Sequence, residues 1–143
     1  MEFVYATGGR EKYYDAIRVG DCVTRAIANA TGRDYKQIYD LINSYASRER
    51  PRDGKKSSAR NGVSNDTVYR VLTDLGWNWV PTMFIGKGCQ THLNEKELPN
   101  DGIIIVSVSK HLTCVKDGVL YDTFDCTRGG RRCVYGYYTP PTV

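Results

Sequence analysis

Apolar residues recur along the first half of this chain at helical spacing and along the second half at strand spacing. In "VGDCVTRAIANATG" the apolar positions Val23, Ala26, Ile27 and Ala30 follow the i, i+3, i+4, i+7 pattern of an amphipathic helix, with Gly32 placed to end it. Asp34 followed three residues on by Gln37 has capping-box spacing. It opens a second helix with the stripe Tyr35, Ile38, Tyr39, Ile42, Tyr45 and Ala46. Ser64 caps a third, with the stripe Val68, Val71, Leu72 and Leu75, closed by Gly76.

Beyond Gly76 the period changes. "WNWVPTMFIG" reads as a short strand broken by Pro81, and Thr91–Leu98 as a helical turn. "DGIIIVSV" starts almost wholly apolar, which predicts a central strand. "HLTCVKDGVLYDTF" is two alternating runs joined by Asp117-Gly118, a pair suited to a tight two-residue turn. "CVYGYYT" is the last strand, and residues 1–20 read as irregular. The whole predicts one domain over residues 1–143 of α+β class, with N-terminal helices packed on an antiparallel sheet.

The turn residues alone fix the register of the hairpin. With Asp117-Gly118 as the loop, Lys116 faces Val119, Cys114 faces Tyr121, Thr113 faces Asp122 and His111 faces Phe124. Side chains alternate, so His111 and Asp122 share a face as diagonal neighbours. A bulge would offer Asp125 in place of Asp122. Cys22 falls in the first turn of the first helix, where unpaired amides and the helix dipole favour a thiolate. A thiolate, an imidazole and a carboxylate that orients it are the parts of a nucleophilic acyl-transfer site. His92, the other histidine, has no carboxylate placed by pattern and reads as a surface residue.

Charge adds a second feature. The net +4 resides in Arg48–Arg60, which holds six basic and two acidic side chains, while the remaining residues hold 14 of each sign. That loop suits an acidic or nucleic-acid partner, or is a solvated connector. The five cysteines are odd in number and form no CxxC pair, there is no basic-apolar leader, and the longest apolar run is four residues. These features predict free thiols, a cytoplasmic location and no membrane partner. The spacing of Cys114, Cys126 and Cys133 with His111 matches no familiar zinc pattern, so no metal and no cofactor is expected.

In their order, "GDCVTRAIANATG" with Cys22 and "VSVSKHLTCVKDGVLYDTFD" with His111 and Asp122 resemble the papain-like cysteine peptidase superfamily in its compact bacterial and phage forms. The resemblance spans residues 18–138. It implies a papain-like fold and a peptide or protein substrate, with Cys22 as nucleophile, His111 as general base and acid, and Asp122 orienting His111. The glutamine usual before such a nucleophile is absent from "YYDAIRVGD". The oxyanion would then use the Cys22 amide with Tyr14 or Arg18. Asp21, beside the nucleophile, would oppose the thiolate if it pointed inward. Arg128 and Arg131, in the segment after Asp125, are expected as a substrate-binding rim. The alternative is an inactive papain-like scaffold that binds partners through its basic loops.

Overall fold

A computed structural model describes residues 1–15, 20–50 and 56–142. Three helices, α1 (Cys22–Thr31), α2 (Tyr35–Ala46) and α3 (Asn65–Asp74), precede most of a six-stranded sheet. The strands are β1 (Glu2–Tyr5), β2 (Asn78–Pro81), β3 (Ile103–Val108), β4 (His111–Lys116), β5 (Val119–Asp122) and β6 (Val134–Thr139). Their spatial order is β1-β5-β4-β3-β6-β2.

The α+β expectation holds, with one correction to the sheet. β1 lies parallel to β5, with Phe3 opposite Leu120 and Tyr5 opposite Asp122, so the sheet is mixed rather than antiparallel. Glu2–Tyr5 is an edge strand exposed at every position, so burial imposes no alternation that would reveal it. Thr91–Leu98 is also not helical. It is a set of turns in which the Asn94 side chain accepts from the amides of Lys96 and Glu97.

Capping fixes the helix starts. Asp34 accepts from the Gln37 amide and Ser64 from that of Thr67, at 3.4 and 3.3 Å. Gly32 ends α1 in the left-handed conformation its sequence position requires. β3 is interior and its alternate residues feed two cores. Ile105 joins Leu112, Cys114 and Tyr138 beneath Ala26, Ile27, Ile38 and Leu72 of the helices. Ile104, Val106 and Val108 join Val115, Leu120 and Val134 on the opposite face, closed by Leu93, Leu98 and Cys126 from loops. Pro81 is tolerated because β2 is an edge strand, paired only with β6.

The β4–β5 register is the one read from Asp117-Gly118: Lys116 faces Val119, Val115 faces Leu120 and Cys114 faces Tyr121. Both turn residues have positive φ, 49° and 78°. His111 therefore opens β4 and Asp122 closes β5 at the same end of the sheet, where α1 begins with Cys22. Among the described residues no helix is long and apolar enough to cross a membrane.

Candidate active site

Cys22 is the first residue of α1, its amide one of the unpaired donors at the helix start. The half-buried thiol meets the His111 imidazole and approaches the Leu112 backbone amide. His111 Nε2 also lies 2.7 Å from Asp122 Oδ2. Asp122, not Asp125, is thus the carboxylate on the histidine. Asp125 turns away, accepting from the Thr127 amide and hydroxyl at 3.0 and 2.7 Å.

Asp122 is 3% exposed and held by donors on both oxygens. Oδ1 accepts from the Thr123 amide at 2.7 Å and from Arg25 at 3.4 Å. Oδ2 accepts from the Thr113 hydroxyl at 2.7 Å and the Cys126 thiol at 3.6 Å, besides His111. Asp21, the α1 cap, is equally buried but does not stand uncompensated beside the nucleophile. Arg10 and Arg25 both pair with it, and the Tyr35 hydroxyl donates to it at 2.6 Å. Arg25 thus links the two buried carboxylates.

These contacts set the protonation states. Burial pushes the Cys22 thiol up, but His111, the Leu112 amide and Arg25 outweigh it and the net direction is down. Burial likewise opposes a charged His111, yet Asp122, Cys126 and Cys22 together push it up to about 11. Both directions favour a thiolate–imidazolium pair.

Cys22 and His111 open onto a cleft of about 660 Å³ whose walls carry Tyr69, Trp79, Phe124 and Tyr135. Phe124 lies against the His111 ring with centroids 5.1 Å apart. Asn61 and Asn65 also line the cleft. Gly20 is needed where the chain enters α1, because a Cβ there would sit 2.9 Å from the Asn61 carbonyl oxygen.

The expected rim and oxyanion partners are placed elsewhere. Tyr14 does not line this cleft; it packs on Tyr39 and Tyr35 of α2 at 5.1 and 6.2 Å between centroids. Arg18 lies outside the described residues. Arg128 and Arg131 are exposed and do not line the cleft either, because Arg132, which donates to the Ser109 and Cys126 carbonyls, anchors their turn beside the β3–β4 connection. Lys110, Phe124 and Tyr135 reach the cleft instead.

Of the partners of Asp122, sequence reasoning missed Arg25 and Cys126. Arg25 stands three residues after Cys22, so helix period alone puts it on the nucleophile's side. Thr113 follows from the hairpin register, whereas Cys126 comes from an irregular segment and has no such signal. His111, Asp122 and Cys126 hold donor atoms within 4.8 Å of one another, a set able to ligate a metal, although Nε2 and Oδ2 are already joined by a hydrogen bond.

Two further corrections concern sulfur and the second histidine. Cys89 and Cys133 form a disulfide, leaving Cys22, Cys114 and Cys126 as the free thiols. His92 does have a carboxylate, Glu97, at 3.1 Å, brought round by the turns after Asn94. Comparison with protein-family models, curated proteins and solved structures found no match.

Proposed function

We propose that this chain is a cysteine-dependent hydrolase of papain-like arrangement that cleaves a peptide, isopeptide or other amide bond through a thioester on Cys22. One observation carries the reading: His111 is held by Asp122 at 2.7 Å while its ring meets a thiol at a helix N-terminus, inside a cleft. The Cys22 thiolate attacks the acyl carbon, and the developing oxyanion meets the Cys22 amide. Asn61 and Asn65, both in the cleft lining, are the amide side chains we assign as candidates for a second donor, in the role the absent glutamine leaves open. His111 then donates its proton to the leaving nitrogen as the C–N bond breaks. In the second half His111 takes a proton from water, which attacks the thioester and releases the acid and Cys22. The aromatic walls suit an extended polypeptide substrate. Three free thiols favour a cytoplasmic setting, in which the Cys89–Cys133 bond would meet reductants.

The test is the pH dependence of Cys22 alkylation by iodoacetamide in the wild type and in His111→Ala. Reaction in the wild type is expected to titrate well below the free-thiol value of about 8.5, and to move up in the variant. A folded protein whose Cys22 does not react, or a profile the variant leaves unchanged, overturns the reading.

A second reading rests on a groove of about 870 Å³ lined by Arg48, Arg50, Lys56 and Arg70, which shares Asn61, Gly62, Val63 and Asp66 with the cleft. In it the scaffold binds an acidic or nucleic-acid partner without turnover. That reading predicts association that weakens with salt and is indifferent to Cys22→Ala.

A further inference from the structure

Away from the cleft, the segment from Cys89 to Glu97 assembles a second cysteine, histidine and carboxylate. Cys89 Sγ lies 3.6 Å from His92 Nε2, and His92 Nδ1 lies 3.1 Å from Glu97 Oε1. Glu97 is itself held, with the Asn94 side-chain amide on Oε2 at 2.5 Å and the His92 backbone amide on Oε1 at 3.3 Å. Asn94 and then His92 keep its carboxyl below the ordinary range. A carboxylate on Nδ1 leaves Nε2 directed at the sulfur.

The disulfide partner is fixed opposite. Cys133 forms an isolated antiparallel bridge with His92, flanked by hydrogen bonds from the Leu93 amide to the Arg132 carbonyl and from the Val134 amide to the Thr91 carbonyl, both 2.8 Å. Leu93 and Val134 are fully buried, so this short ladder is anchored in the core. The sulfurs are not: Cys89 is exposed and Cys133 half-buried. A disulfide that only braced the fold would need no imidazole aimed at one of its sulfurs. An exposed sulfur beside an imidazole, with a less accessible partner, is the layout of an attacking and a resolving thiol.

We propose that Cys89–Cys133 is a thiol–disulfide exchange site, with Cys89 carrying the mixed disulfide and His92, oriented by Glu97, stabilising the Cys89 thiolate. The co-reactant is a low-molecular-weight thiol or a dithiol. Its thiolate attacks Cys89 Sγ, the bond to Cys133 breaks, and Cys133 leaves with the electron pair and takes a proton from solvent. A second thiolate attacks the sulfur of the attached group. The bond to Cys89 then breaks, and Cys89 departs as a thiolate facing His92 Nε2. Two thiols are oxidised to a disulfide and the protein disulfide is reduced to two thiols. In the reverse direction the Cys89 thiolate attacks an external disulfide and Cys133 resolves it. Neither sulfur lines the cleft of Cys22, so this site stands apart from the hydrolase reading.

The test uses reduced Cys133→Ser and Cys89→Ser proteins exposed to oxidised glutathione between pH 6 and 9, with glutathione uptake at each cysteine followed by peptide mass mapping. Cys89 in the first variant is expected to react about tenfold faster at pH 7 than Cys133 in the second, as a one-unit lowering of a thiol gives in thiolate fraction. Adding His92→Ala should remove that advantage at pH 7, with the gap closing above the free-thiol value of about 8.5; Glu97→Gln should fall between. Equal Cys89 rates with and without His92 at every pH, or Cys133 reacting faster than Cys89, overturns the proposal. Uptake at Cys22 is measured in the same digest, so an inert Cys22 counts only against the hydrolase reading.

Discussion

Replacing Asp122 by Asn tests the site through one atom. Each carboxylate oxygen is surrounded by donors: the Thr123 amide and Arg25 on Oδ1, and His111, Thr113 and Cys126 on Oδ2. An amide must put its NH₂ on one of these sides, where donor meets donor. The less costly choice keeps the oxygen toward His111 and leaves the Thr123 amide and Arg25 Nη2 without their acceptor, while Arg25 Nη1 stays on Asp21. Each buried group left without a partner costs about 1–3 kcal/mol, so Asp122→Asn should lose on the order of 2–6 kcal/mol of stability. Scaled to a domain of this size, that is a fall in Tm of roughly 6–18 °C. The chemical consequence is separate. His111 keeps a hydrogen bond but loses the neighbouring charge that most favours its protonated form, and a charged hydrogen bond exceeds a neutral one by about 1–1.5 kcal/mol. That corresponds to roughly one unit on the His111–Cys22 pair, or about tenfold slower alkylation of Cys22 near pH 6. Circular dichroism melts and iodoacetamide rates on the folded fraction measure the two effects independently. A variant with the wild-type alkylation profile would refute the claim that Asp122 supports the ion pair.

Other perturbations read different parts of the structure. Arg25→Met removes the cation shared by Asp21 and Asp122. Breaking a buried pair of this kind costs about 3–5 kcal/mol, so a large fall in Tm is expected, and an unchanged melt would mean the pairing contributes nothing. Gly136→Ala would set a Cβ 2.4 Å from the Trp79 ring and 2.8 Å from the Val80 carbonyl oxygen, forcing β2 away from β6. Overpacking of this sort costs about 1–3 kcal/mol and should change Trp79 fluorescence as well as Tm. Acid should destabilise through Asp122: burial raises its carboxyl, but His111, Thr113 and the Thr123 amide outweigh this and hold it low. The unfolded chain therefore binds the proton first, so stability is present above the ordinary carboxylate value of about 4 and falls as pH drops below it. Urea midpoints at pH 5 and pH 3 check this, and Asp122→Asn should flatten the difference.

How much of this was legible in the chain depended on whether the signal was local. The helix caps at Asp34 and Ser64 and the β4–β5 register are set by side chains and turn chemistry within a few residues, and they read directly. Asp122 followed from that register because Asp117-Gly118 admits one tight turn. β1 was hidden because an exposed edge strand carries no burial pattern, and its parallel partner β5 lies more than a hundred residues away. Cys89–Cys133 was hidden for a related reason: 44 residues separate them, and only the short ladder at His92 brings them together. Tyr14 was misassigned because proximity in sequence to Cys22 says nothing of direction. Its ring joins the aromatic cluster with Tyr35 and Tyr39, away from the cleft.

The two cysteine–histidine–carboxylate sets in this chain differ most in how they meet solvent, and that difference bears on what each can do. At Asp122 the carboxylate is 3% exposed and both oxygens are saturated with donors, so the charge interactions around His111 act in a low-dielectric setting and resist screening. Such a site holds a fixed ion pair, which acyl transfer needs because the same imidazole must give and then take a proton. At Glu97 the carboxylate and the His92 ring are each 36% exposed. Water and salt weaken that pair, leaving a modest bias toward thiolate, and a modest bias serves a sulfur that must act as nucleophile in one direction and leaving group in the other. Ionic strength should therefore separate them: raising salt from 0.05 to 0.5 M, across which the Debye length falls to roughly a third, should erode the His92-dependent reactivity of Cys89 while leaving the alkylation profile of Cys22 in place.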